Sequence, residues 1–217
     1  MTKKALIAGA TGLVGTELLK LLIQSESYNK IHVLNRRDVN YESSKVTNHI
    51  IDFDKLEEFE PENEIDDVFC CLGTTIKKAK TKENFRTVDF DYVVGLANKS
   101  KEWNTSKFLV ISALGANKKS SIFYNRVKGE MENALKELGL PHLFIFRPSL
   151  LIGDRKESRP GEKTAILVYK VINPLFVGKL KKYRGINIKK VAHAMIETAI
   201  HNEDTFKIFE SDEIQGY

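Results

Sequence analysis

The sequence predicts a doubly wound α/β protein, with a parallel sheet at the centre and helices on both faces. Three observations lead there. Strand-like and helix-like segments alternate along most of the chain. The strand-like segments are short apolar or β-branched runs without strict alternation, which suits strands buried on both faces. A glycine-rich turn sits directly between the first such run and the first helical pattern. At 217 residues the chain can bury a full core and reads as one domain.

The elements follow in order. Residues 5–8 form the first strand and residues 12–25 the first helix. Strands are expected at 30–34, 46–51 and 67–72, then a helix at 82–103. A strand at 107–112, a helix at 121–138 and a strand at 142–147 complete the pattern. Gly139 followed by Pro141 stops the 121–138 helix. After Arg147-Pro148 the rhythm changes, and residues 149–217 are expected to add a small substrate-side cap to the single domain. That part includes a helix at 188–201 and a late strand at 206–210. The apolar stretch 164–177 is read as a cap helix, because Pro174 and Gly178 break its periodicity. The alternative is an amphipathic helix for a membrane surface or a dimer.

The formal charge of +5 comes from 34 basic and 29 acidic residues that are interleaved, so an anionic small ligand fits better than nucleic acid. Cys70 and Cys71 are adjacent, point to opposite faces of a strand and are poor disulfide partners. They are also too few for a zinc site, and the five histidines lack metal-ligand spacing, so no metal is expected. A reducing compartment follows, and the expectation is a cytoplasmic protein with no nucleic-acid or membrane partner.

Gly9-Ala10-Thr11-Gly12-Leu13-Val14-Gly15 lies between the first strand and a helix. Missing side chains let a diphosphate reach the backbone, and unpaired N–H groups of the helix's first turn face it. The second strand runs into Asn35-Arg36-Arg37. An acidic residue there would favour the free ribose hydroxyls of NAD(H). Arg36 and Arg37 instead suit a 2′-phosphate, so NADP(H) is preferred over NAD(H). Asp52 and Phe53 end the third strand at the adenine position. Asp52 either accepts from the adenine amine or caps a short helix at 55–59. Leu72, Gly73 and Thr74 follow the fourth strand, where a glycine lets the backbone pass close to the nicotinamide-side ribose. Cys71 has no neighbouring base and is not read as a nucleophile.

Tyr124 and Lys128 stand four apart on a helix and therefore on one face. A phenol is a poor acid or base near neutrality, and a neighbouring ammonium favours its ionised form. Ser112 ends the fifth strand. It either polarises a substrate carbonyl or is a strand-end hydroxyl bonded to backbone. Ser120 and Ser121 are read as caps.

The chain resembles the atypical short-chain dehydrogenases/reductases of the Tat-interacting-protein type, within the NAD(P)-binding Rossmann superfamily. The resemblance rests on Gly9–Gly15, Asn35-Arg36-Arg37, Phe69-Cys70-Cys71-Leu72-Gly73-Thr74-Thr75, Val88-Asp89-Phe90-Asp91-Tyr92, Gly115-Ala116-Asn117-Lys118 and Tyr124–Glu130. Phe146-Arg147-Pro148 and Asp154-Arg155-Lys156-Glu157-Ser158-Arg159-Pro160-Gly161-Glu162 extend it. It implies NADPH bound by Thr11 to Val14 at the diphosphate, Arg36 and Arg37 at the 2′-phosphate, and Leu72 and Gly73 at the ribose. Tyr124 would be the acid/base with Lys128 beside it, Leu151 would meet the nicotinamide amide, and Arg159 would close over the cofactor. Arg159 also reads as a surface arginine paired with Glu157 or Glu162. Asp89 departs from the asparagine that many short-chain dehydrogenases carry at that position.

The expected function is an NADPH-dependent oxidoreductase that acts on a small carbonyl or alcohol, with Tyr124, Lys128 and Ser112 as the catalytic residues. A redox-sensing NADP(H) binder acting through a regulatory protein partner is the second reading, and a nucleotide-sugar epimerase or dehydratase the third. Either a homodimer or a protein partner is compatible with the sequence.

Overall fold

A computed structural model describes residues 2–153 and 178–217. Seven strands build one sheet: β1 (Lys3–Ala8), β2 (Tyr28–Asn35), β3 (Val46–Ile50), β4 (Asp67–Cys70), β5 (Lys107–Ile111), β6 (His142–Arg147) and β9 (Phe206–Glu210). A separate two-stranded ribbon pairs β7 (Leu151–Ile152) with β8 (Ile186–Asn187). The helices are α1 (Leu13–Gln24), α2 (Ile76–Ala79), α3 (Lys82–Arg86), α4 (Tyr92–Glu102), α5 (Phe123–Glu137), α6 (Ile188–His201) and α7 (Ser211–Ile214). The order across the large sheet is β3-β2-β1-β4-β5-β6-β9, and every neighbouring pair is parallel. Strand order therefore reverses between β1 and β4. In an open parallel sheet, ligands bind outside the carboxyl ends of the strands at that point.

The central strands lack alternation because neither of their faces is wet. Ala5, Ile7, Phe69, Leu109, Phe144 and Phe146 pack with Leu18 and Leu22 of α1 and with Val191 and Met195 of α6. Their strand neighbours Leu6, Ala8, Val68, Cys70, Phe108, Val110 and Ile145 pack on the other face, with Val93 and Leu96 of α4 and Met131 and Leu135 of α5. At the amino edge, Asp67 is buried and accepts from the Tyr28 hydroxyl at 2.6 Å and the Lys3 ammonium at 3.0 Å. Lys3 and Lys107 both donate to the carbonyl of Ala199, and Lys107 also donates to that of Asn202. Two cations thus satisfy carbonyls at the end of α6, where the helix dipole is negative.

The predicted order of elements matches, and residues 142–147, 188–201 and 206–210 match to the residue. Two expectations need correction. The short helix after Asp52 is a 3-10 turn over Phe53–Glu58, two residues earlier than the spacing predicts. Part of the segment expected to form the cap belongs to the main body: α6 packs on α1, and β9 closes the sheet beside β6. Both carry enough apolar surface to cover core that the first 148 residues leave open. The stretch 164–177 lies outside the described residues.

His32 is fully buried in β2, with Nδ1 2.9 Å from Nε2 of His49, and the two rings stack. Burial, and then the neighbouring imidazole, lowers the His32 pKa from 6.5 to about 4, and burial also lowers that of His49. The unfolded chain therefore binds protons first. This pair's contribution to stability is complete above the unfolded value and is lost as pH falls from 6.5 towards about 4. Urea unfolding midpoints should decline across that interval, and His32→Leu should flatten the decline. An equal pH slope in both proteins would contradict the assignment.

Candidate functional site

The carboxyl ends of β1 and β4 meet in a tight backbone crossing. Gly9 has φ +86°, and a Cβ on it would stand 2.5 Å from the carbonyl oxygen of Cys71. A Cβ on Gly15 would stand 2.2 Å from the carbonyl oxygen of Gly9. Only glycine lets the turn, the start of α1 and the β4 exit lie this close. Gly12 is the N-cap of α1 and brings no side-chain cap, and the first turn holds no acidic residue. Val14 is buried in the core, so its peptide N–H, not its side chain, belongs to the turn's polar face. Thr11 and Gly12 are exposed and Leu13 is half-buried. Thr16 donates its hydroxyl to the carbonyl of Ala10 at 3.0 Å, which braces the loop. The result is a cradle of uncapped N–H groups at the positive end of a 12-residue helix.

Asn35 closes β2 and is buried. Its amide donates to the Tyr41 hydroxyl at 2.9 Å and to Asn48 Oδ1 at 2.7 Å. Asn48 donates onward to Asp38 Oδ1 and the carbonyl of Val39. This latch shapes the loop that carries Arg36 and Arg37, both of which are exposed. Among the described residues neither arginine enters an ion pair within 4.0 Å, and Asp38 is held by Asn48. Asp52 Oδ1 accepts from the Asp54 N–H at 3.1 Å, so of its two readings the capping geometry is present. Phe53 is buried against Tyr92, whose hydroxyl donates to Asp54 at 2.7 Å. Burial, then Asp54, pushes the Tyr92 pKa up to about 12, and the charge of Arg36 opposes the rise. Arg36 and Phe53 thus border the same side of the sheet's carboxyl edge.

The chemistry-bearing groups converge on Gly73. Lys128 Nζ lies 2.7 Å from Asp89 Oδ1, with both side chains almost fully buried. The other Asp89 oxygen accepts the N–H of Thr74 at 2.8 Å. A Cβ on Gly73 would sit 3.4 Å from Asp89 Oδ1 and 3.8 Å from Lys128 Nζ, so the pair lies directly against this exposed glycine. Asp89 stands inside a π-helical turn, Thr87–Asp91, inserted between α3 and α4. Such turns are frequent at functional sites. Burial alone would lower the pKa of Lys128, but the adjacent carboxylate outweighs it, and the ammonium is held. For Tyr124, burial raises the pKa, Lys128 pulls it down as the spacing predicts, and Asp89 pushes it up. The net direction is upward, so the phenol is protonated near neutrality.

Ser112 is buried, and its hydroxyl donates to Glu132 Oε1 at 2.6 Å. Neither sequence reading of Ser112 anticipates this partner. Glu132 also takes two bonds from Arg147, at 2.9 Å and 2.5 Å, and Arg147 reaches Glu210 at 2.8 Å. Tyr124, Lys128 and Glu132 form one stripe of α5 at successive i, i+4 steps. That spacing was the only sequence signal for Glu132. Leu151 is half-buried in β7, opposite Ile186. Arg159 and the motif from Asp154 to Glu162 lie outside the described residues. Burial raises both Cys70 and Cys71 thiols, which is unfavourable for a nucleophile.

Residues 21–185 match the HIM1 family. The chain is 41% identical over 164 residues to Protein HTATIP2 of Rattus norvegicus, covering 74% of this chain and 67% of that one. It is 35% identical over 157 residues to Protein FMP52, mitochondrial, of Debaryomyces hansenii, covering 71% and 70%. In fold it resembles the Bordetella bronchiseptica enzyme WbmH, solved in complex with NAD+, at TM-score 0.71 and 16% identity, covering 97% of this chain and 76% of WbmH. It also resembles the human epimerase family protein SDR39U1, solved with NADPH, at TM-score 0.64 and 12% identity, covering 94% and 72%. The cytoplasmic expectation is corrected by these relatives: several fungal ones are named as mitochondrial proteins. Residue types alone carried no signal for that location.

Two substitutions test the geometry. Gly15→Ala forces a methyl group into the Gly9 carbonyl and should cost about 2–4 kcal/mol of unfolding free energy. Asp89→Asn leaves a buried ammonium without its counter-ion and should cost about 3–5 kcal/mol, with part recovered in the Asp89→Asn/Lys128→Met double variant. Urea unfolding measures both, and losses under about 1 kcal/mol would contradict the burial described.

Proposed function

The chain belongs to the HIM1 family, and from that premise we propose that it is an NADP(H)-dependent oxidoreductase that reduces a carbonyl group. One observation carries the reading: the glycine cradle and the Tyr124–Lys128–Asp89 group share the carboxyl edge of β1 and β4, on either side of the Cys71–Gly73 backbone. The residues fit a dinucleotide. Gly9, Gly12 and Gly15 clear the backbone for a diphosphate, with Thr11, Leu13 and Val14 offering peptide N–H groups. Arg36 and Arg37 are the cations for a 2′-phosphate. Asp52 and Phe53 would border the adenine, and Leu72, Gly73, Thr74 and Leu151 the nicotinamide end. A nicotinamide cofactor supplies the hydride in such chemistry.

The protein's own part is proton handling. Tyr124 is raised by burial and therefore carries its proton near neutrality, which suits donation to a carbonyl oxygen as that oxygen gains negative charge. Lys128, held charged by Asp89, stabilises the phenolate left behind until solvent returns the proton. Asp89 is a positioning residue: it fixes Lys128 and, through the Thr74 N–H, the loop that passes over it. Ser112 has committed its proton to Glu132, so it supports α5 rather than donating to substrate in this arrangement. That commitment also favours the second reading, a redox-sensing NADP(H) binder with slow turnover that acts through a protein partner.

NADPH and NADH titrations separate the cofactor assignments. Arg36→Ala combined with Arg37→Ala should weaken NADPH about 10- to 100-fold and leave NADH within about threefold. Equal losses would remove the 2′-phosphate assignment. Tyr124→Phe should lower kcat about 10²- to 10⁴-fold with NADPH binding intact. Unchanged turnover in that variant would exclude Tyr124 as the acid.

A further inference from the structure

We infer that the Tyr41 hydroxyl is a third donor to the 2′-phosphate of the cofactor, beside Arg36 and Arg37, and so helps to select NADP(H) over NAD(H). This rests on the NADP(H) reading and names a residue of the same site that no motif in the sequence marks. It follows from a chain of hydrogen bonds in which each group leaves the next a single role. Asn48 Nδ2 donates to Asp38 Oδ1 at 3.0 Å and to the carbonyl of Val39 at 3.2 Å. A carboxylate and a peptide carbonyl only accept, so the Asn48 amide has one orientation, with its Oδ1 turned to Asn35. Asn35 Nδ2 must then face Asn48 Oδ1, 2.7 Å away, and its second hydrogen goes to the Tyr41 oxygen at 2.9 Å. Tyr41 therefore accepts from Asn35 and keeps its own proton, which points away from Asn35. Among the described residues nothing accepts that proton.

The place of the hydroxyl fits that role. Asn35 is the last residue of β2, and its neighbour Arg36 starts the loop that Tyr41 closes. In a doubly wound sheet the adenosine ribose lies at this strand end, beside the helix N-terminus that takes the diphosphate. Tyr41 packs on the same hydrophobic cluster as Leu13 and Val14 of α1, so its ring is on the cradle's side of the sheet. Asp38 is the only carboxylate between Arg36 and Tyr41, and Asn48 holds it. Two guanidinium groups and one phenolic O–H are thus donors without acceptors in one short loop. A phosphate monoester carries a charge of nearly −2 on three acceptor oxygens and can satisfy all of them. A free 2′-hydroxyl offers the same donors one neutral oxygen, which is a weaker acceptor.

Calorimetric titration of the whole protein tests this without any turnover. The ligands are NADPH, NADH, and the fragments adenosine 2′,5′-bisphosphate and 5′-AMP, which lack the nicotinamide. The proteins are the wild type, Tyr41→Phe, Arg36→Ala with Arg37→Ala, and all three substitutions together. Tyr41→Phe should weaken NADPH and the bisphosphate about tenfold and leave NADH and 5′-AMP within about twofold, because a hydrogen bond to a charged acceptor is lost. Removing the hydroxyl also takes an acceptor from Asn35, and the triple variant separates that effect. A residue that only shapes the loop for the arginines costs nothing once they are gone, whereas a donor to the phosphate still costs about three- to tenfold. An unchanged preference for NADPH over NADH in Tyr41→Phe, or no further loss in the triple variant, would overturn the inference. Bisphosphate binding that depends on Tyr41, in a protein that reduces no carbonyl, would strike the oxidoreductase reading and leave this assignment standing. A wild-type protein that binds neither NADPH nor the bisphosphate would end both.

Discussion

Gly9 turns beneath Cys71 with no room for a side chain, and Gly15 packs onto Gly9 just as tightly. That contact of three backbones sets how close α1 stands to the sheet, and so where its first N–H groups point. It also fixes the path of Cys71, Leu72 and Gly73 as they leave β4. The glycine cradle and the backbone that lies against Asp89 and Lys128 are therefore two sides of one crossing. A substitution on either side of it shifts both.

The buried polar groups extend that control to α5. Asp89 reaches from a π turn to hold Lys128, and Glu132, one turn further along α5, ties the helix to Ser112 and Arg147. Removing one partner from either cluster strands a charge in a dry interior, which costs far more than the pair contributes while intact. These interactions gain register and orientation rather than net stability. They also explain why a lone serine after the fifth strand reads ambiguously, since the hydroxyl's partner comes from a helix twenty residues later.

The protonation state of Tyr124 follows from the same arrangement. Tyr124 has an ammonium nearby, which by itself favours phenolate. Burial and the carboxylate of Asp89 pull the other way and prevail. A protonated phenol with a held ammonium on the same helix face suits delivery of a proton to a carbonyl oxygen, in keeping with the reaction proposed.

Hydrophobic patterning and the glycine spacing were enough to read the parallel sandwich, its element order and the cradle, because those signals are local and repeat along the chain. Asn35-Arg36-Arg37 and the Tyr124/Lys128 spacing were legible for the same reason: each lies within one turn or one loop. Folding alone assigned β9 to the sheet and α6 to its face, since strand order depends on which surfaces remain uncovered after the chain has doubled back. It alone joined Asp89 to Lys128 and Ser112 to Glu132, contacts that span 39 and 20 positions. No periodicity encodes a partner that far away; the partners meet because the helices close over the strand exits and leave each buried charge one place to go.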